Sequence, residues 1–268
     1  MMRALFAVLF TLVAAPAFAT WSVLAIDQRT GQVVIASATC VRQAAFAGFP
    51  AKGLMDVQAI VVPGKAVAAA QAAVDNTRNN QMLVYTELQR GTAPEAIIAM
   101  LATDPRYESR QFGILDLQGR FAGHSGSRNG AVSLHRQGQV PGERIFYSIQ
   151  GNILKSEEVV TAAVAAFLGA RGELTDRVMA AMTAADEKGG DRRCTCDSAP
   201  KIDAPCTAKT SHVAYILRAD KNDATGESYN DGKYALYLSA TDADITPAED
   251  ANPVKTLRMR YDAWKQKR

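Results

Sequence analysis

Apolar positions follow two periods along this chain. Residues 20–26 and 33–39 alternate loosely and are rich in strand formers, with Asp27, Arg29, Thr30 and Gly31 between them, so they predict a β-hairpin. Residues 44–53 are irregular, with Gly48, Pro50 and Gly53. A short apolar run over 57–62 predicts a buried strand, ended by Pro63 and Gly64. From Lys65 to about Arg90 the chain is alanine-rich. Val67, Ala70 and Val74 share one helical face, the middle is polar and Gly91 is a stop, so the stretch reads as a helix. Thr92, with Glu95 three positions on, makes a capping-box pattern for a helix through Ile97, Ile98 and Leu101.

Strand patterns resume over 111–116 and 120–124, joined across Gly119, and again over 145–150. Two helices follow. Ser156 is the expected cap of the first, with Val160, Val164, Phe167 and Leu168 as its stripe. Thr175 is the expected cap of the second, with Val178, Met179, Met182 and Ala185 inward and Gly189-Gly190 at its end. Residues 212–218 and 233–239 are the last strands. Asn252-Pro253 opens a final helix with Val254, Leu257, Tyr261 and Trp264 on one face. Clustered strands separated by clustered helices predict an α+β layered fold, not a βαβ series.

Ahead of the hairpin stand Arg3, an apolar run over 4–15 broken only by Thr11, then Pro16 and Ala17-Phe18-Ala19. That order is the pattern of a cleavable export signal. The run is shorter than the roughly 20 apolar residues that span a bilayer, and no later stretch comes close, so no membrane anchor is expected. Residues 1–19 are therefore expected to be removed, and 20–268 to work as one domain in a periplasm or outside the cell. The formal net charge of +3 loses only Arg3 on cleavage. That leaves no footprint for a nucleic-acid partner. The four cysteines, Cys40, Cys194, Cys196 and Cys206, suit an oxidising compartment as two disulfides, with all three connectivities open. Cys194, Cys196, Cys206 and His212 as a zinc set is the competing reading, but their spacing fits no common pattern.

Cleavage after Ala19 puts Thr20 at the N-terminus of the first strand. A threonine hydroxyl is a poor nucleophile until a base takes its proton. An α-amino group, with a pKa of about 7.7–8.0, is such a base near neutral pH. One residue then supplies both nucleophile and base.

Thr20-Trp-Ser-Val-Leu-Ala-Ile-Asp27 and Thr30-Gly-Gln-Val-Val-Ile-Ala-Ser-Ala38 resemble the opening of a bacterial family, domain of unknown function 1028. So do Arg110-Gln-Phe-Gly-Ile-Leu-Asp116 with Gly119, and His124-Ser-Gly126. Tyr147-Ser-Ile-Gln-Gly-Asn-Ile-Leu154, Gly189-Gly-Asp-Arg-Arg193 and Asn252-Pro-Val-Lys-Thr-Leu-Arg258 follow in family order. The stretch from Cys194 to Cys206 departs from the pattern, standing where the family has a shorter, glycine-containing turn. The residues after Cys40 also differ.

The resemblance implies the N-terminal-nucleophile hydrolase fold, a four-layer α-β-β-α sandwich of two antiparallel sheets between helices. It also implies amide hydrolysis without a cofactor. Thr20 is then the nucleophile. Ser22 shares its face of the strand and either supports it or is simply a polar strand residue. Lys52 either lowers the hydroxyl's pKa or is a surface lysine. Asn152 is an oxyanion donor or a turn residue, with Gln150 beside it as a substrate contact. Asp191 and Arg192 orient the amine, grip a substrate carboxylate, or form a structural pair. His124 is a pocket or a structural histidine. The expected partner is a small-molecule or peptide amide substrate, and a homo-oligomer is compatible with the sequence. The rival function is a non-catalytic ligand- or envelope-binding protein on the same fold.

Overall fold

A computed structural model of the protein describes residues 20–47 and 53–268. The export-signal stretch and Lys52 lie outside the described residues. The strands are β1 (Thr20–Asp27), β2 (Gln32–Thr39), β3 (Ala59–Val62), β4 (Ala66–Ala72), β5 (Arg110–Asp116), β6 (Phe121–Ser125), β7 (Leu134–Gln139), β8 (Ile145–Asn152), β9 (Val213–Ala219) and β10 (Leu236–Thr241). The helices are α1 (Leu54–Gln58), α2 (Asn79–Arg90), α3 (Pro94–Leu101), α4 (Glu158–Gly169), α5 (Leu174–Glu187) and α6 (Pro253–Gln266). Among the described residues the fold is mixed α+β, with two antiparallel sheets and six helices. One sheet runs β10-β9-β2-β1-β8-β7 and the other β3-β4-β5-β6. No helix among the described residues is long and apolar enough to cross a membrane.

Side-chain alternation along β1 divides the core. Trp21, Val23 and Ala25 join Val160 and Phe167 of α4, Val178 and Met182 of α5, and Leu257 of α6. Leu24 and Ile26 point the other way, into a cluster with Val61, Val67 and Leu115 of the four-stranded sheet. A third cluster joins Ile60, Ala68 and Ile114 on that sheet's far side to Val84 and Leu88 of α2 and to Ile97 and Leu101 of α3. β1 is thus buried on both faces, which is why its sequence alternates so weakly.

The alanine-rich stretch after Lys65 corrects the sequence reading. Residues 66–72 are strand β4, buried on both faces, and only Asn79–Arg90 is helix. Alanine favours helix intrinsically, but propensity is a weak prior. Here Val67 and Ala69 face one cluster while Ala66, Ala68 and Ala70 face another. Three expected caps also differ. Thr92 bonds the Glu87 carboxylate, and α3 starts with a proline after an Ala93 cap that makes no side-chain bond. Glu157 precedes α4 without a side-chain cap, so Ser156 does not fill that role. Glu173 and Asp176 form the capping box of α5, while Thr175 is buried and accepts the Tyr261 hydroxyl. Asn252 caps α6 as expected, accepting the Val254 N–H. Strand β7 and helix α1 were not anticipated. The cysteines pair Cys40–Cys194 and Cys196–Cys206, which closes the connectivity question.

Candidate functional site

The face of the six-stranded sheet that looks towards the other sheet changes character along its length. Its outermost row is Asn152, Thr20, Thr39, Val213 and Thr241. The next is His135, Gln150, Ser22, Ser37, Tyr215 and Ser239. Further in, Leu24, Ile35 and Leu217 lie side by side. The opposing sheet shows the same gradient, from Gln71, Gln111 and Ser125 through Ala69, Gly113 and Gly123 to Val67, Leu115 and Phe121. A polar end and an apolar end are therefore built into both sheets. The polar ends meet where β1 begins.

Thr20 is the first residue of β1 and pairs with Asn152 on one side and Thr39 on the other. Its N–H donates to Asn152 Oδ1 at 3.1 Å. Its carbonyl accepts from Gln71 Nε2 at 2.9 Å. Gln71 is the hub of what lies beneath. It donates again to Gln111 Oε1 at 2.8 Å, and its own Oε1 accepts the Ser22 hydroxyl at 2.6 Å and Gln150 Nε2 at 3.1 Å. Ser22 also meets Ser37 Oγ at 3.0 Å and accepts Gln58 Nε2, which reaches Tyr215 Oη at 3.1 Å. Gln111 Nε2 extends the chain to Ser125 and to the Gly151 carbonyl. Ser22, Ser37, Gln58, Gln71, Gln111 and Gln150 are all buried and uncharged. Burial also pushes the Tyr215 hydroxyl far above its ordinary range and the His135 imidazole below its own. Both groups stay neutral near pH 7.

Such a network is costly where any member lacks a partner. One does: Gln150 Oε1 has no hydrogen-bond partner among the described residues. It sits 2.6 Å from where a Cβ on Gly113 would lie, so any larger residue there would have to push the Gln150 amide aside. Backbone strain stands beside two members of the site. Ala72 follows Gln71 with φ 71°, and Ile153 follows Asn152 with φ 53°. A β-branched residue in that region is uncommon.

Asp191 is fully buried, and its carboxylate holds groups of two loops. Oδ2 accepts the Cys40 N–H at 3.0 Å, and Arg193 grips both oxygens. The ion pair is thus with Arg193, while Arg192 is exposed. Asp191 also bridges to Leu154, just past β8, and Cys40 is disulfide-bonded to Cys194. One short segment therefore holds both strands that flank Thr20. Gly190 allows its approach, because a Cβ there would lie 2.6 Å from the Trp21 ring. His124 is not brought to Thr20. It stacks on Tyr107 at 3.6 Å between ring centres and contacts the Tyr107 carbonyl. Sequence reasoning missed Gln71, Gln58, Gln111 and His135. The one available signal was a lone glutamine inside an alanine run.

Residues 20–226 match a family of unknown function, DUF1028. The chain belongs to it. The fold is similar to the crystal structure of protein SPO2555 from Silicibacter pomeroyi, itself described as DUF1028, with a TM-score of 0.61 over 91% of this chain and 88% of that one. The two are 20% identical, so the likeness concerns the fold. No curated protein matches the chain.

Proposed function

We propose that this member of DUF1028 is an exported amide hydrolase of the N-terminal-nucleophile type, matured by cleavage after Ala19 into one domain over residues 20–268. The observation that carries the reading is the Thr20 nitrogen on Asn152 Oδ1, at the head of two sheets whose buried polar rows converge there. Packing supports the layer order helix, sheet, sheet, helix, since three separate clusters lie between successive elements. The two disulfides suit an oxidising compartment.

In this mechanism the freed Thr20 amine takes the proton from its own hydroxyl, and the oxygen attacks the amide carbonyl carbon. The C–N bond breaks, the departing nitrogen takes the proton, and an ester on Thr20 remains. A water, deprotonated by the same amine, hydrolyses that ester and restores the hydroxyl. Asn152 Oδ1 orients the amine, and Gln71 fixes the Thr20 carbonyl, so that residue cannot pivot. Asp191 acts through Cys40 and the flanking strands, not on the reacting atoms.

The test compares mature protein with Thr20→Ala on a panel of N-acyl amino acids and short peptides. Turnover is expected to disappear in Thr20→Ala, and also in wild type whose α-amine has been acetylated, with both proteins still folded by circular dichroism. Turnover at the wild-type rate in Thr20→Ala would falsify the proposal. A second reading, a binding protein on this fold, is favoured by the burial of Thr20, which is 1% exposed in the full-length chain. It predicts ligand binding without turnover in either protein.

A further inference from the structure

One cavity is left unused by this chemistry. It lies between the turn after β4, the first turns of α2 and the turn after α3, and measures about 510 Å³. That is within the roughly 300–1,000 Å³ of small-molecule sites. Arg110, the first residue of β5, lines it, so the cavity stands at the sheet end that carries Gln71 and Gln111. Val74, Leu83, Met100 and Pro105 supply apolar surface. Asn76 and Asn79 supply exposed carboxamides that make no hydrogen bond to another described residue. A chamber of about 10 Å³ adjoins the cavity and shares Val74, Asp75, Asn80 and Arg110 with it. That is room for one hydroxyl or one water. Gln81 lines the chamber and is 1% exposed. Its Nε2 donates to the Val57 carbonyl at 3.0 Å, which fixes the orientation of the amide. Its Oε1 has no hydrogen-bond partner among the described residues. A buried acceptor in that state calls for a donor. Gln71, which donates to the Thr20 carbonyl, lines the same chamber.

The charges on the cavity wall balance. Asp75 and Asp104 face Arg106 and Arg110. Arg110 Nε holds Asp104 Oδ2 at 2.9 Å, and Arg110 Nη1 donates to the Ala73 carbonyl. Asp75 accepts the Thr77 N–H and hydroxyl and the Asn80 N–H. Burial alone would raise the pKa of both carboxyls, but these hydrogen bonds outweigh it and hold both below the ordinary value, so both are ionised at pH 7. A carboxylate ligand would bring only acceptors to Gln81 Oε1 and add a negative charge beside Asp75. An ammonium would bring donors but set a positive charge beside Arg110. A hydroxyl donates and accepts without charge, so it suits both Gln81 Oε1 and the two free carboxamides.

We propose that this cavity binds an uncharged sugar. One hydroxyl enters the chamber and donates to Gln81 Oε1, others meet the Asn76 and Asn79 carboxamides, and the C–H face of the ring lies on Leu83 and Met100. The site is separate from the Thr20 hydroxyl and does not rest on the hydrolase reading.

The experiment titrates the methyl glycosides of glucose, galactose and mannose, and the amino-sugar and uronic-acid counterpart of each, into the mature protein by ligand-observed NMR. Wild type is expected to bind at least one methyl glycoside with a Kd of about 1 mM or tighter, and its two charged counterparts about tenfold more weakly. Asn76→Ala and Asn79→Ala are each expected to weaken that binding about threefold, and Gln81→Met about tenfold. Thr20→Ala is expected to bind as wild type does, so the result is read apart from catalysis. No binding of any methyl glycoside, equal binding of a charged counterpart, or unchanged binding in both asparagine variants would overturn the site. Losses in the asparagine variants with none in Gln81→Met would assign the chamber to water and overturn the hydroxyl contact. Asn76 and Asn79 are exposed, so their variants remain informative if Gln81→Met fails to fold.

Discussion

At the residue scale the proposed chemistry depends on how Thr20 is held. Its backbone is fixed on both sides, by Asn152 at the nitrogen and by Gln71 at the carbonyl. Gln71 makes four hydrogen bonds to four buried partners, so replacing it with leucine strands several polar groups at once. Gln71→Leu is expected to destabilise the mature chain by about 2–4 kcal/mol, read from urea unfolding. A loss below about 0.5 kcal/mol would mean that the network does not hold the site together. The cleavage pattern and strand parity single out Thr20 and Ser22 in the sequence, and the family resemblance singles out Gln150 and Asn152. Gln71 and Gln111 were not, since their importance arises only when a second sheet lies across the first. The partner of Asp191 was misassigned by one position, to Arg192 instead of Arg193. Charge order along a loop does not say which side chain folds back.

At the element scale the decisive feature is close approach of the sheets at their polar end. Small residues make it possible: Ala69, Gly113 and Gly123 stand side by side opposite the glutamine and serine row. Gly113 carries an ordinary negative φ, so an added methyl is resisted by space alone. It would meet Gln150 Oε1 at 2.6 Å and Ser148 Oγ at 2.9 Å. Gly113→Ala is expected to cost about 1–3 kcal/mol through overpacking, measured as a lowered urea midpoint at unchanged m. An unchanged midpoint would show that the sheets have slack there. The same closeness explains why β4 was read as a helix. An alanine run satisfies helix propensity and a tightly packed central strand equally well, and only the neighbouring sheet decides. Elements with one wet face, such as α6, kept a clear stripe and were legible.

At the scale of the whole molecule, a crosslink between distant parts of the chain lies beside Thr20. Cys40 follows the residue that pairs with Thr20, and Cys194 lies 154 positions on, beyond the segment that bridges to β8. That the four cysteines form two disulfides was legible beforehand, but the pairing was not, because spacing carries no information about which strand ends meet. This long-range bridge ties the end of β2, beside the start of β1, to the segment after α5. The deciding measurement is the intact, unreduced mass of the protein recovered from outside the cytoplasm of an exporting host. The expected result is a chain beginning at Thr20 and lighter by four hydrogens for the two disulfides. A chain that begins at any other residue would deny Thr20 its amine, and would contradict the proposed chemistry whatever the fold.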